Sequence, residues 1–305
     1  MAYRRSVRRA PARRRPTRKS SYRSKSRRSY TGRRRPYRRP RRMTNRKILN
    51  LTSTKKRDTM LGWGNVANDS TDGSSTFHSG GAVLKGARTY IMPWIATARD
   101  LTDNNNANNT AAMRAARTSM TPYMVGLKER VQVQTSNGTT WQWRRICFRF
   151  KGNFIYAQET GPFRLAVETS NGWRRILSDW GTGTPSEAIN QVLFDGVQGV
   201  DWQSYFAAKT SRERVTVCYD QTRIVQSGNA SGVMRNYSIY HPMNKTLVYD
   251  DEENGQANNQ AKYSTAGNGG MGDYYIVDYI AAGTGSTASD LLSFDPTATL
   301  YWHEK

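Results

Sequence analysis

The first 57 residues of this chain contain no aspartate and no glutamate, although 25 lysines and arginines fall among them. A segment of one sign cannot neutralise itself, and it repels itself until a polyanion is supplied. Histidine is almost as scarce. His78, His241 and His303 stand far apart without paired metal-ligand spacing, which argues against a metal centre and against the paired histidines of rolling-circle nucleases. Cys147 and Cys218 are too few for a disulfide framework and lie in strand-like sequence, so both read as buried thiols. No apolar run approaches the roughly 18–20 residues of a membrane span. The N-terminal residues lack an apolar h-region and hold almost no Leu, Ile, Val or Phe before Ile48, which argues against a secretory signal and an amphipathic presequence alike. Sequons such as Asn50, Asn137 and Asn236 then read as Asn-rich loops rather than glycan sites. Neither a Walker-type phosphate loop nor a nucleophile-elbow pentapeptide occurs. Asp250-Asp251-Glu252-Glu253 beside Asn254-Gly255 reads as a solvated loop tip rather than a cation site. The expectation is a non-enzyme with no catalytic residue, no cofactor, no metal and no membrane partner.

What is present is sharply divided. The formal charge is +24, yet from Asp58 to Lys305 there are 22 basic and 23 acidic residues. All eight Trp and all eight Phe lie beyond residue 60, enough to fill a core. Residues 1–47 therefore read as a disordered arginine-rich arm. Residues 48–80 read as a linker and irregular lead-in, and residues 81–305 as the folded body. Guanidinium groups pair bidentately with phosphate and stay charged at any relevant pH. The expected nucleic-acid contacts are Arg4, Arg5, Arg8, Arg9, Arg13, Arg14, Arg15, Arg18, Lys19, Arg23 and Lys25. They continue with Arg27, Arg28, Arg33, Arg34, Arg35, Arg38, Arg39, Arg41, Arg42, Arg46 and Lys47. Tyr3, Tyr22, Tyr30 and Tyr37 could stack on unpaired bases. No base-reading module is evident, so binding should be non-specific and salt-dependent. The same clusters fit the loose pattern of a nuclear import signal, which implies host import receptors as partners.

Along the body the period-2 signal dominates. Strands are expected at 88–95, around Val131 and Val133, from Trp141 to Phe150, at 163–167, around Val215 to Tyr219, at 237–249 with a kink at His241-Pro242, at 274–280 and at 298–303. Asn137-Gly138 offers hairpin-turn chemistry. The apolar phase slips at Arg144-Arg145, which suggests a β-bulge. Thr184-Pro185-Ser186-Glu187 reads as a capping box opening a short helix toward Phe194, with another short helix expected at 202–208 and one or two turns at 110–117. About eight strands joined by long loops indicate an all-β protein, with an eight-stranded antiparallel jelly-roll sandwich as the leading architecture.

Several blocks fall in a familiar order. Phe194-Asp195, Arg214-Val215-Thr216-Val217, Lys245-Thr246-Leu247-Val248-Tyr249, Asp273-Tyr274-Tyr275-Ile276-Val277 and Ala298-Thr299-Leu300-Tyr301-Trp302 resemble, in order and spacing, those of geminivirus coat proteins. The opening Met1-Ala2-Tyr3-Arg4-Arg5 and the run Trp141-Gln142-Trp143-Arg144-Arg145 more closely resemble genomovirus (gemycircularvirus) capsid proteins. The resemblance covers most of the body and lies in collinearity. The cysteine–histidine pattern of many geminivirus coat proteins is lacking, so no zinc site is carried over. The resemblance implies a jelly-roll shell protein that self-assembles into a T=1 icosahedral particle of about 60 copies, packages a circular single-stranded DNA genome, and is found in the virion and, during assembly, the host nucleus. The competing reading is a cellular RNA- or DNA-binding structural protein, ribosomal or chromatin in type, with a basic tail. The compositional break near Ile48 makes a first expectation testable: removing residues 2–47 should leave the β circular-dichroism signal intact while abolishing salt-sensitive DNA binding.

Overall fold

The structure, a computed structural model, describes residues 43–67 and 73–305. The arm positions Arg4 to Arg42 lie outside the described residues. Chain order begins with helix α1 (Asn45–Thr52) and strand β1 (Thr54–Met60), followed by β2 (Ala82–Lys85), β3 (Thr89–Ile95), β4 (Tyr123–Thr135) and β5 (Trp141–Phe150). Helix α2 (Thr184–Leu193) then precedes β6 (Thr216–Val225), β7 (Met234–Thr246), β8 (Asp273–Ala282) and β9 (Leu291–Glu304). Two sheets result. Sheet one has β9 beside β4 and β4 beside β7, while β1 and β2 share the other edge of β9; sheet two runs β6-β5-β8-β3. All of these pairings are antiparallel.

From β2 to β9 the eight strands form nested pairs: β2 with β9, β3 with β8, β4 with β7 and β5 with β6. Rolling such nested pairs into two sheets is what makes a jelly roll, and the expected architecture is therefore present. β1 adds a strand to it.

Alternation explains sheet one. Along β4 and β9 every second side chain is buried, and Leu127, Val131, Val133, Phe294, Leu300 and Trp302 all face inward. In sheet two β5, β8 and β3 are buried on both faces, while the edge strand β6 stays largely exposed. The inner face of this sheet carries Trp141 and Trp143. Its outer face is covered by the long connection of residues 151–215, where the Tyr279 hydroxyl donates to Asn190 Oδ1 at 2.9 Å and the Tyr205 and Tyr279 rings stack at 5.5 Å. Strands so enclosed lose the period-2 signature, as β8 does with its unbroken buried run.

Several local expectations need correction. The register of β5 against β8 is unbroken from Trp141 to Phe150, so no bulge lies at Arg144-Arg145. The phase seemed to slip because both parities are buried. The bulge lies across the sheet, between Val217 and Tyr219. Asn137-Gly138 does not close a hairpin; it carries the chain from sheet one to sheet two. Residues 163–167 form no strand and are held by Glu159, whose Oε1 accepts from the Leu165 amide at 2.7 Å. The 48–80 lead-in is not irregular throughout, since it holds most of α1, all of β1 and a short strand at Gly62–Gly64. Arg46 and Lys47, assigned to a disordered arm, belong to α1. Helix α2 is where it was expected, but Gly183 rather than Thr184 occupies its cap, and no side chain caps it. Residues 110–117 form turns as expected, whereas 202–208 form turns and a bridge in place of the expected helix. Cys218 is exposed, unlike Cys147.

Strand β9 sits in the middle of sheet one with β4 on one edge and β1 and β2 on the other, so its loss would strip both neighbours at once. Truncation after Asp295 should yield insoluble protein, and recovery of a soluble chain with the native melting transition would contradict this placement.

Candidate nucleic-acid interface

The outer face of sheet one is left open across β1, β9, β4 and β7, whereas among the described residues that of sheet two is covered over β5, β8 and β3 and open along its edge strand β6. Its strands place specific groups there by alternation. β1 presents Lys55 and Arg57, β4 presents Tyr123, Lys128 and Arg130, β7 presents Tyr240, and β9 presents Tyr301 and His303. The pairing registers set these groups side by side. Lys55 lies opposite His303 and Arg57 opposite Tyr301, while Lys128 lies between Thr299 and Tyr240, and Arg130 between Thr297 and Ser238. With strands about 4.8 Å apart and about 3.3 Å per residue, the patch measures roughly 14 by 20 Å.

Its electrostatics are one-sided. Asp58, Glu129 and Glu304 belong to the same strands but are buried, so Asp295 is the acidic side chain on this face. Among the described residues Lys55, Arg57, Lys128 and Arg130 make no ion pair. Tyr240 is 52 % exposed, and its hydroxyl end lies over Gly126, where an added Cβ would stand 2.6 Å from the Tyr240 oxygen. Two shallow hollows mark the face. One is bounded by Lys55, Lys128, Tyr240, Tyr301 and His303, and the other by Arg130, Gln132, Asn236, Ser238 and Thr297. Partial burial, then the Lys55 charge, holds His303 below its usual value, so it presents a neutral ring near pH 7.

The residues singled out from sequence are dispersed. Of the expected arm contacts, Arg46 and Lys47 lie within the described residues, in the helix that leads into β1, and Lys47 is exposed. The three histidines are far apart in role: His78 is exposed in a short ribbon, His241 is buried and His303 is on the open face. Among the described residues no group of three or more His, Cys, Asp or Glu could hold a metal ion. The acidic run at 250–253 is not simply a loop tip, because Asp251 is buried and grips Arg117, with contacts of 2.5 and 3.3 Å. The open-face groups on β4, β7 and β9 escaped the sequence reading. On β4 the trace was the alternation of Val131 and Val133 with the polar Arg130, Gln132 and Gln134.

The interior opposite this face is also charged. Arg145 on β5 reaches Glu129 at 2.7 Å and Asp278 at 2.7 and 2.9 Å; Arg175 reaches the same two carboxylates at 3.1 and 2.7 Å. Trp143 Nε1 donates to Asp278 at 2.7 Å, and His241 Nε2 stands 3.6 Å from Glu129. All four charged side chains are fully buried.

No protein-family model matches the chain, and neither does any curated protein. Among solved structures, the chain aligns with VP1 of Trichodysplasia spinulosa-associated polyomavirus at 8 % identity, over 83 % of this chain and 94 % of that one, with a TM-score of 0.12. The same VP1 in complex with sialylated precision glycooligomers aligns with a TM-score of 0.13 at 8 % identity, over 83 % and 93 % of the two chains. Scores this low carry no argument, and the jelly-roll assignment rests on the strand order above.

Burial alone would raise the Glu129 and Asp278 carboxyls, but Arg145 and Arg175 outweigh it and hold both below the usual carboxylate range. A carboxyl depressed in the folded state adds stability above its unfolded value of roughly 4 and loses it as pH falls toward the folded value. Asp273 runs the other way. Burial, opposed by hydrogen bonds from Ser264 and Thr97, lifts it to about 6, so its ionisation costs stability as pH rises from roughly 4 to about 6. Glu129→Gln should cost about 3–5 kcal/mol at pH 7, because it leaves buried arginine charge under-compensated. Denaturant unfolding should show a narrower gap between variant and wild type at pH 3; a gap that stays constant would contradict a depressed Glu129.

Proposed function

We propose that this chain is the shell subunit of a small circular single-stranded DNA virus of the genomovirus kind, assembling from about 60 identical copies and packaging the genome through its arginine-rich arm. The observation that carries the reading is the join itself: the first 53 residues, with 22 positive and no negative charges, are followed at once by β1, a strand added to a jelly roll. Jelly rolls serve as capsid, lectin and cupin domains, so fold alone does not decide. A cupin needs an interior site, whereas here the space between the sheets is filled by aromatic side chains and paired charges. A ribosomal or chromatin protein spreads positive charge over its folded part, whereas this body holds more acid than base. The role is structural rather than catalytic. Single-stranded DNA, further copies of the chain and nuclear import receptors are its partners, in the virion and in the host nucleus during assembly.

Electron microscopy of purified protein tests assembly, with uniform closed shells as the expected outcome. Cargo tests the arm. A shell of about 60 copies gathers on the order of 1500 positive charges, and partial neutralisation by counterions extends the packaged strand to on the order of 1500–3000 nucleotides. Alanine replacement of the arginines from Arg33 to Arg42 should shorten that cargo or raise the empty fraction without changing shell diameter. Packaging indifferent to those replacements would refute the arm's role.

A further inference from the structure

We propose that the open face of sheet one is a second nucleic-acid site, in which Lys55, Arg57, Lys128 and Arg130 hold phosphates while Tyr240 and Tyr301 stack on unpaired bases. The inference rests on the packaging role proposed above and adds a body site to it. Charge complementarity names the occupant. The face carries four cations without ion-pair partners among the described residues and a single carboxylate, Asp295. Rings alternating with unpaired cations on one flat face match the alternating bases and phosphates of an unpaired strand.

The pattern favours single strands over duplex. Tyr301 is flanked by Arg57 across one strand pair, Tyr240 by Lys128 across another, and neutral His303 by Lys55. A flexible strand laid across the sheet would meet alternating rings and cations, which is how sequence-tolerant single-strand grooves work. A duplex keeps its bases stacked within and would meet only the cations. Position also fits. Lys55 and Arg57 lie on β1, the first strand after the arm in the sequence, so the basic character of the arm continues into this face with no acidic residue between. Tyr240 has room to lie along the face because Gly126 has no side chain.

Full-length protein and an oligothymidylate carrying photoreactive thymidines test the site directly. Cross-linked peptides should include residues from 123–130, 237–245 or 297–303 in addition to the arm. In full-length variants, replacing Lys55, Arg57, Lys128 and Arg130 with alanine should reduce the salt dependence of single-strand binding by about 3 in logarithmic slope, at about 0.7 per phosphate contact. Tyr240→Leu with Tyr301→Leu should lower the preference for single strand over duplex of equal length about fivefold or more, leaving the slope unchanged. All six side chains lie on a solvent-facing surface, and the cross-linking arm needs no variant. Cross-links confined to residues 1–47, with slope and preference unchanged, would overturn this site and leave the packaging role standing. Failure of the arm replacements to alter packaging would instead strike at the packaging role.

Discussion

A layer of paired charge crosses the middle of the sandwich, and the rest of the core is arranged around it. On β4, Glu129 sits between Leu127 and Val131. On β5, Arg145 sits between Cys147 and Trp143, and on β8, Asp278 sits between Ile276 and Ile280. On β7, His241 lies between Met243 and Ile239. In every case the first neighbour belongs to one apolar cluster and the second to the other. The two sheets share no ladder of backbone hydrogen bonds, so ordinary apolar contacts would tolerate some sliding of one over the other. Carboxylates from both sheets shared between the same two guanidiniums do not. Such a network adds little net stability over a well-packed apolar layer, because desolvation offsets most of the attraction. What it supplies is register, since a shifted sheet would strand buried charge at a cost of several kcal/mol.

The second constraint is the unequal cover of the two sheets. Residues 151–215 close the outer face of sheet two, where Arg144 donates to the Tyr205 and Ala208 carbonyls at 2.6 and 2.8 Å and pairs with Asp220 at 2.8 Å. Sheet one receives no comparable layer from the described residues. The same β-sandwich thus has one outer face largely covered and one open, and β1, the strand that follows the arginine-rich segment in the sequence, belongs to the open sheet.

Legibility followed exposure. Where one face of a strand is solvated, as in β4 and β9, alternation was visible and the strands were found. Where both faces are buried, as in β5, the alternation vanished and a bulge was inferred in its place. Arg144-Arg145 interrupts the apolar phase because the two arginines point to opposite faces of a regular strand, both buried against carboxylates distant in sequence. No local pattern marks a charge whose partner lies on another strand. Residues 163–167 alternated well but had no neighbouring strand to pair with, and propensity without a partner does not make a sheet. The arginine arm, the strongest compositional signal, falls mainly outside the described residues, whereas the open-face cations carried almost no signal because they come as two pairs, Lys55 with Arg57 and Lys128 with Arg130, on strands far apart in sequence.

The near-neutral composition of the body hides how its charges are sorted. Lys56, Arg99, Arg117, Arg144, Arg145 and Arg175 are all buried, and each is paired with a buried or half-buried acid. These pairs cancel inside the protein and contribute nothing to the field outside. What an approaching polyanion meets is the remainder. Asp250, Glu252 and Glu253 are exposed at one loop, while the cations of sheet one stand on a flat surface with their own strands' acids turned inward. A count over residues therefore underestimates the positive potential of that face. Alternation is the reason: Lys55 and Arg57 on β1 and Lys128 and Arg130 on β4 face the solvent while Asp58 and Glu129 of the same strands face the core, and the one inward base, Lys56, is cancelled by Glu304, so separating charge across the sheet follows from the pleat itself.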